Sequence, residues 1–150
     1  MPDKRVWAYA LGAYFGLLAL IAFWPSPVDA PVQGQLAITL RWLHAHGVPR
    51  WVNYSFVEMA ANVVLFIPAG LLGQLTLPRL PWWRITAAGM LISGCIEAGQ
   101  YLFLPHRFAS LTDVLTNTAG ALLGAVAARK LAPALPRLLG RVGRRTVRRP

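Results

Sequence analysis

The sequence predicts an all-α fold: an integral membrane bundle of four transmembrane helices, with a further helix in the outer interface and a basic cytoplasmic tail. Three observations point there. Hydrophobic residues fill 56% of the 150 positions and charged residues only 13%, against ~25% charged in an ordinary soluble domain. Four apolar stretches reach the roughly 20 residues that a helix needs to cross a hydrocarbon core about 30 Å thick. The basic residues, 15 against 5 acids for a net charge of +10, sit between and beyond those stretches. Such a balance excludes a disordered chain, which needs few apolar residues and many charges. A soluble α/β domain is excluded as well, because the runs are too long for strands and lack the polar face of a surface helix.

The first span, 6–24, holds no charge. Lys4-Arg5 before it and Val28-Asp29-Ala30 after it imitate a secretory leader and its cleavage site. The apolar run of 19 residues exceeds the roughly 7–15 of a leader, so the span is expected to remain as an anchor. Spans 57–77, 85–104 and 111–128 carry one acid each: Glu58, Glu97 and Asp113. The links 78–84 and 105–110 are short and contain Pro and Arg, which makes consecutive spans antiparallel neighbours. Pro68 lacks an N–H and should free a carbonyl in the second span for a neighbouring polar group. Gly12 with Gly16, and Gly120 with Gly124, form small-residue faces suited to close helix packing, within the chain or against a membrane-protein partner. Ser110 and Asp113 are spaced as a capping box opening the fourth span. Cys95, the single cysteine, allows no internal disulfide and reads as a small apolar residue.

Charge placement sets the orientation. Lys4 and Arg5, Arg79 and Arg84, and eight basic residues after Ala128 fall on one side, twelve in all. Arg41, Arg50 and Arg107 fall on the other. Cytoplasmic segments carry the Lys/Arg excess, so both termini are expected in the cytoplasm. The domain organisation is then an N-terminal stub 1–5, a transmembrane unit 6–128 and a basic tail 129–150. Most of the net charge reports topology, and no nucleic-acid partner is expected.

The one long connection, 25–56, repeats Leu36, Leu40 and Leu43 at helical spacing, with Trp42 and Trp51 nearby. It reads as a helix in the outer interface with Arg41 and His44 toward water. In the tail, Leu131, Leu135, Leu138, Leu139 and Val142 share a face and the arginines supply charge, a pattern for anionic lipid surfaces. His44-Ala-His46 alone is too small a ligand set for zinc. No metal and no cofactor are expected.

The polar side chains inside the spans are the candidate site. A charge at mid-membrane costs on the order of 3 kcal/mol and needs a reason. At about 1.5 Å of rise per residue, Glu58 and Asn62, Glu97 and Gln100, and Asp113 and Asn117 all fall in the outer half of their spans. Each pair is three or four residues apart and so shares a helix face. With Arg107 in the external link, these groups form a candidate ligand-binding set: Glu58, Asn62, Glu97, Gln100, Arg107, Asp113 and Asn117. Gln74, Thr76 and Thr86 in the inner half make no comparable group.

Those residues also carry a resemblance. The run Asn62-Val-Val-Leu-Phe-Ile-Pro68-Ala-Gly70, then Ile96-Glu97-Ala-Gly-Gln100-Tyr101, Arg107, and Asp113-Val-Leu-Thr-Asn117-Thr-Ala-Gly120-Ala-Leu-Leu-Gly124 resembles the VanZ family of small bacterial membrane proteins. It covers about residues 54–128. Where that family often has two adjacent acids, this chain has Thr112 before a single Asp113. The resemblance implies a bacterial inner-membrane location and an envelope role, in a family named for a member linked to resistance to the glycopeptide teicoplanin.

Three functions compete. The outer pocket would bind or handle a cell-envelope lipid, a lipid-linked precursor, or an antibiotic-like glycopeptide or lipopeptide, with Arg107 on phosphate and the acids on amines. An intramembrane enzyme would use Glu97 as general acid or base with Asp113 ionised beside Arg107. A structural subunit of an envelope complex would use the polar groups only to join helices. The sequence shows no nucleophile or metal set, which places the enzyme below the binding protein. A transporter would need matching polar groups in the inner half.

Overall fold

Asn53 and Ser110 each start a helix by offering a side-chain oxygen to an N–H three residues on, from Phe56 at 3.0 Å and from Asp113 at 3.2 Å. They open two of the five helices of a computed structural model that describes residues 4–24, 33–104 and 109–131. In chain order these are α1 (Lys4–Ala22), α2 (Gln33–Ala45), α3 (Tyr54–Thr76), α4 (Trp82–Phe103) and α5 (Leu111–Leu131). No strand occurs among the described residues. The basic tail beyond residue 131 lies outside them, as does the segment 25–32. Helix α5 ends on Arg129 and Lys130, cations that suit the carbonyl end of a helix.

Contacts between helices fix their directions. Gly120 lies against the carbonyl of Val63 and Gly124 against that of Ile67, so α3 and α5 run parallel. Ser93 meets Asn117 and Gly89 meets Ala121, so α4 runs opposite to α5. Gly73 touches Ile85 at the turn between α3 and α4. Helix α1 joins through Tyr14 against Leu65, and through Ala22 and Phe23 against Gln100 and Gly99. The ends of α1 and α4 therefore meet the starts of α3 and α5.

Glycine makes the α3–α5 approach possible. A Cβ on Gly70, Gly120 or Gly124 would collide with the facing backbone, so the two helices pack main chain to main chain, as small-residue faces allow in membranes. Gly12 and Gly16 on α1 have open space instead and pack on no neighbour among the described residues. The core between the helices is Leu18, Phe66, Ala69 and Ala121, with Tyr14, Phe15, Leu65 and Ile96 against it. Pro68 lies inside α3 without ending it. One turn before it, the hydroxyl of Tyr14 donates to the carbonyl of Leu65 at 2.6 Å.

Among the described residues, three helices are long and apolar enough to cross a membrane: Arg5–Ala22, Tyr54–Thr76 and Leu111–Leu131. That is one fewer than the four spans expected from the sequence. Helix α4 has the length, 22 residues, but Thr86, Ser93, Glu97 and Gln100 lower its mean hydropathy. Its outward side is apolar even so, with Leu91, Cys95 and Leu102 exposed.

Helix α2 forms where the leucine spacing predicts it. Leu40 is buried, Leu36 and Leu43 half-buried, and Arg41, Trp42 and Trp51 exposed. His44 departs from its expected place in water. Half-buried, its Nε2 lies 3.0 Å from the carbonyl of Val52 and ties α2 to the approach to α3. His46 Nδ1 lies 2.8 Å from the carbonyl of Trp42, and its ring lies against the Trp42 indole at 4.1 Å.

Candidate functional site

The seam between α4 and α5 is built on a four-residue step. On α4 the buried positions are Ile85, Gly89, Ser93 and Glu97, with Gln100 one turn further. On α5 they include Asn117, Ala121 and Ala125, with Asp113 at the start of the same row. One row falls by four as the other rises by four, which brings Gly89 to Ala121, Ser93 to Asn117, and Glu97 to the opening turn of α5. Near the Gly89–Ala121 level the seam is small and apolar; beyond it, toward the start of α5, it holds the polar residues Ser93, Glu97, Asp113 and Asn117.

At that end the Oε2 of Glu97 accepts the main-chain N–H of Ser110 at 2.7 Å. A capping box assigns this N–H to the acid at the third helical position, which is Asp113. Only the serine half of the box forms, Ser110 Oγ accepting from Asp113 N–H. Glu97 takes the other half from across the seam. The half-buried Asp113 carboxylate makes no hydrogen bond among the described residues and stands at the positive end of α5.

One turn deeper, Asn117 Nδ2 donates to Ser93 Oγ at 2.9 Å, with both residues buried. The Asn117 Oδ1 is enclosed and has no hydrogen-bond partner among the described residues. Leaving such an acceptor unmatched costs about 1–3 kcal/mol. Gln100, also buried, turns to α1 and donates to the carbonyl of Ala22 at 2.8 Å. That bond fastens the end of α1 to the polar end of the bundle.

Among the described residues, four of the seven candidates gather at or beside the α4–α5 seam. Glu97, Asp113 and Asn117 share the α4–α5 seam, and Gln100 sits beside it facing α1. Asn62 is half-buried on α3, with no hydrogen bond to that seam among the described residues, and Glu58 is exposed near the start of the same helix. Arg107 lies outside the described residues. Sequence reasoning missed Ser93, although it lies one turn before Glu97 on the same face. It also missed Tyr14, for which no local pattern exists.

Around this polar interior the outward surface is apolar, with Tyr9, Leu91, Leu102, Leu111 and Leu115 each more than 60% exposed. A polar seam inside and a greasy exterior on spanning helices define an integral membrane protein. The VanZ/LLP1 family matches residues 11–133, and the chain belongs to that family. It is 36% identical over 70 residues to Protein VanZ of Enterococcus faecium, an alignment that spans 47% of this chain and 43% of that protein. No solved structure matches the chain.

Proposed function

We propose that the chain crosses a bacterial cytoplasmic membrane four times, with both termini inside. Its outer polar end would bind or handle a cell-envelope lipid, a lipid-linked precursor, or a glycopeptide or lipopeptide. The fourth crossing is α4. It runs antiparallel to α3 and α5 and packs on α5, is about 33 Å long at 1.5 Å per residue, and turns Ser93, Glu97 and Gln100 to the interior, where polar residues of a span belong. Orientation follows from the bundle ends. Arg5, Arg79, Arg84, Arg129 and Lys130 gather at one end; among the described residues only Arg41 and Arg50 are basic on the other side.

The observation that carries the binding reading is the burial of Glu97 in the seam, with Asp113 beside it and the unmatched Asn117 Oδ1 below. Packing alone needs none of these groups, since the inner part of the same seam closes with Gly89 and Ala121. Carboxylates and an amide carbonyl accept hydrogen bonds, which suits the amines and hydroxyls of envelope precursors and glycopeptides. Membership of the VanZ/LLP1 family, whose namesake is linked to glycopeptide resistance, supports an envelope connection.

The test is equilibrium binding of fluorescent teicoplanin and of a polyprenyl-linked precursor to purified protein in nanodiscs. Wild type should bind one of these saturably, and Asp113→Asn, which leaves the Glu97–Ser110 bond in place, should weaken it at least ten-fold. Equal binding by wild type and Asp113→Asn would sink the reading.

A further inference from the structure

The basic end has a feature that topology alone does not demand. Between α3 and α4 the chain turns within Leu77–Pro81, and three hydrogen bonds brace this turn. Leu77 N–H bonds to Gly73 O at 2.9 Å, Leu80 N–H to Leu77 O at 3.0 Å, and the buried Gln74 Nε2 to Leu80 O at 3.0 Å. Gly73 packs on Ile85 beneath it. On this braced turn stand four exposed side chains, Arg79, Trp82, Trp83 and Arg84. The Arg84 guanidinium lies 5.1 Å from the centroid of the Trp83 ring, which orients its N–H fork while leaving it charged. Arg129 and Lys130 stand exposed at the same end of the bundle, and no acid occurs in the first turn of α4.

We propose that this turn is a headgroup site for anionic phospholipid of the inner leaflet, a phosphodiester of the phosphatidylglycerol type. Arg79 and Arg84 match phosphate by bidentate hydrogen bonds and charge. Trp82 and Trp83 are amphipathic rings at the level where such rings prefer the interface. Two cations and two indoles on a hydrogen-bonded turn form one local surface, in contrast to the diffuse attraction of a basic tail. The inference rests on the proposed membrane crossing of α3 and α4.

The experiment is quenching of tryptophan fluorescence in full-length protein reconstituted into phosphatidylcholine nanodiscs. Matched mole fractions of brominated phosphatidylglycerol or brominated phosphatidylcholine are added. The signal of the turn is the difference between wild type and the Trp82→Phe/Trp83→Phe variant. Brominated phosphatidylglycerol should quench that signal at several-fold lower mole fraction. Each arginine removed should reduce the preference about five-fold, so Arg79→Gln/Arg84→Gln should nearly abolish it, while Arg41→Gln at the opposite end should not. Equal quenching by the two lipids, or a preference untouched by Arg79→Gln/Arg84→Gln, would overturn the headgroup site and leave the membrane placement standing. Absence of quenching by either lipid would overturn both.

Discussion

Glu97 on α4 closes the N-terminus of α5 by accepting the N–H of Ser110 at 2.7 Å. The helix cap is thus completed across a helix interface. A buried carboxylate gains an acceptor role, and the short link between the helices is pinned at its far end. Glu97→Ala should cost about 1–3 kcal/mol, because it leaves a main-chain donor unmatched. Glu97→Gln, which keeps an acceptor oxygen, should cost less than half of that. Thermal unfolding in a mild detergent measures both; identical losses would mean that the contact does not stabilise the cap.

The α3–α5 contact should be intolerant of a single methyl group. Gly124→Ala places a Cβ against the Ile67 carbonyl and the Leu71 amide, a clash with backbone that should cost about 1–3 kcal/mol. Gly12→Ala and Gly16→Ala meet open space and should stay within about 0.5 kcal/mol. Parallel melting curves for the three variants decide it. A neutral Gly124→Ala would refute main-chain packing of these helices.

Asn117→Leu separates structure from function. The substitution removes one interhelical hydrogen bond, worth about 0.6 kcal/mol on average in membranes, and with it the unmatched Oδ1. Relief of the unmatched Oδ1, about 1–3 kcal/mol, offsets the lost bond, so stability should hold or rise, while binding of the precursor or glycopeptide probe should fall. A variant that keeps full binding would place Asn117 outside the site.

Orientation is testable with single cysteines in a Cys95→Ser background. Arg50→Cys should react with an impermeant maleimide added to intact cells, and Arg79→Cys only after lysis. Reaction of Arg79→Cys from outside would reverse the topology.

Much of the architecture was legible along the chain. The apolar runs mark α1, α3 and α5 because helix length against bilayer thickness is a local criterion. Glu97, Gln100, Asp113 and Asn117 were legible too, since polar side chains are rare in such runs and helical spacing puts each pair on one face. Helix α4 read as a clear span by position, yet its hydropathy falls short because its polar residues are the ones that line the seam.

What the sequence by itself determined is the all-helical membrane class, the positions of the helices and the asymmetric placement of charge. Each of these follows from local composition and a fixed rise per residue. Only the tertiary structure decided which partners those residues take. Glu97 caps α5, Gln100 faces α1, Ser93 meets Asn117, and Glu58 is exposed on α3. The physical reason is the direction in which each helix is rotated. Rotation is set by where glycine lets two backbones touch, as at Gly120 and Gly124 against α3, and a spacing rule along one helix contains no information about its neighbour.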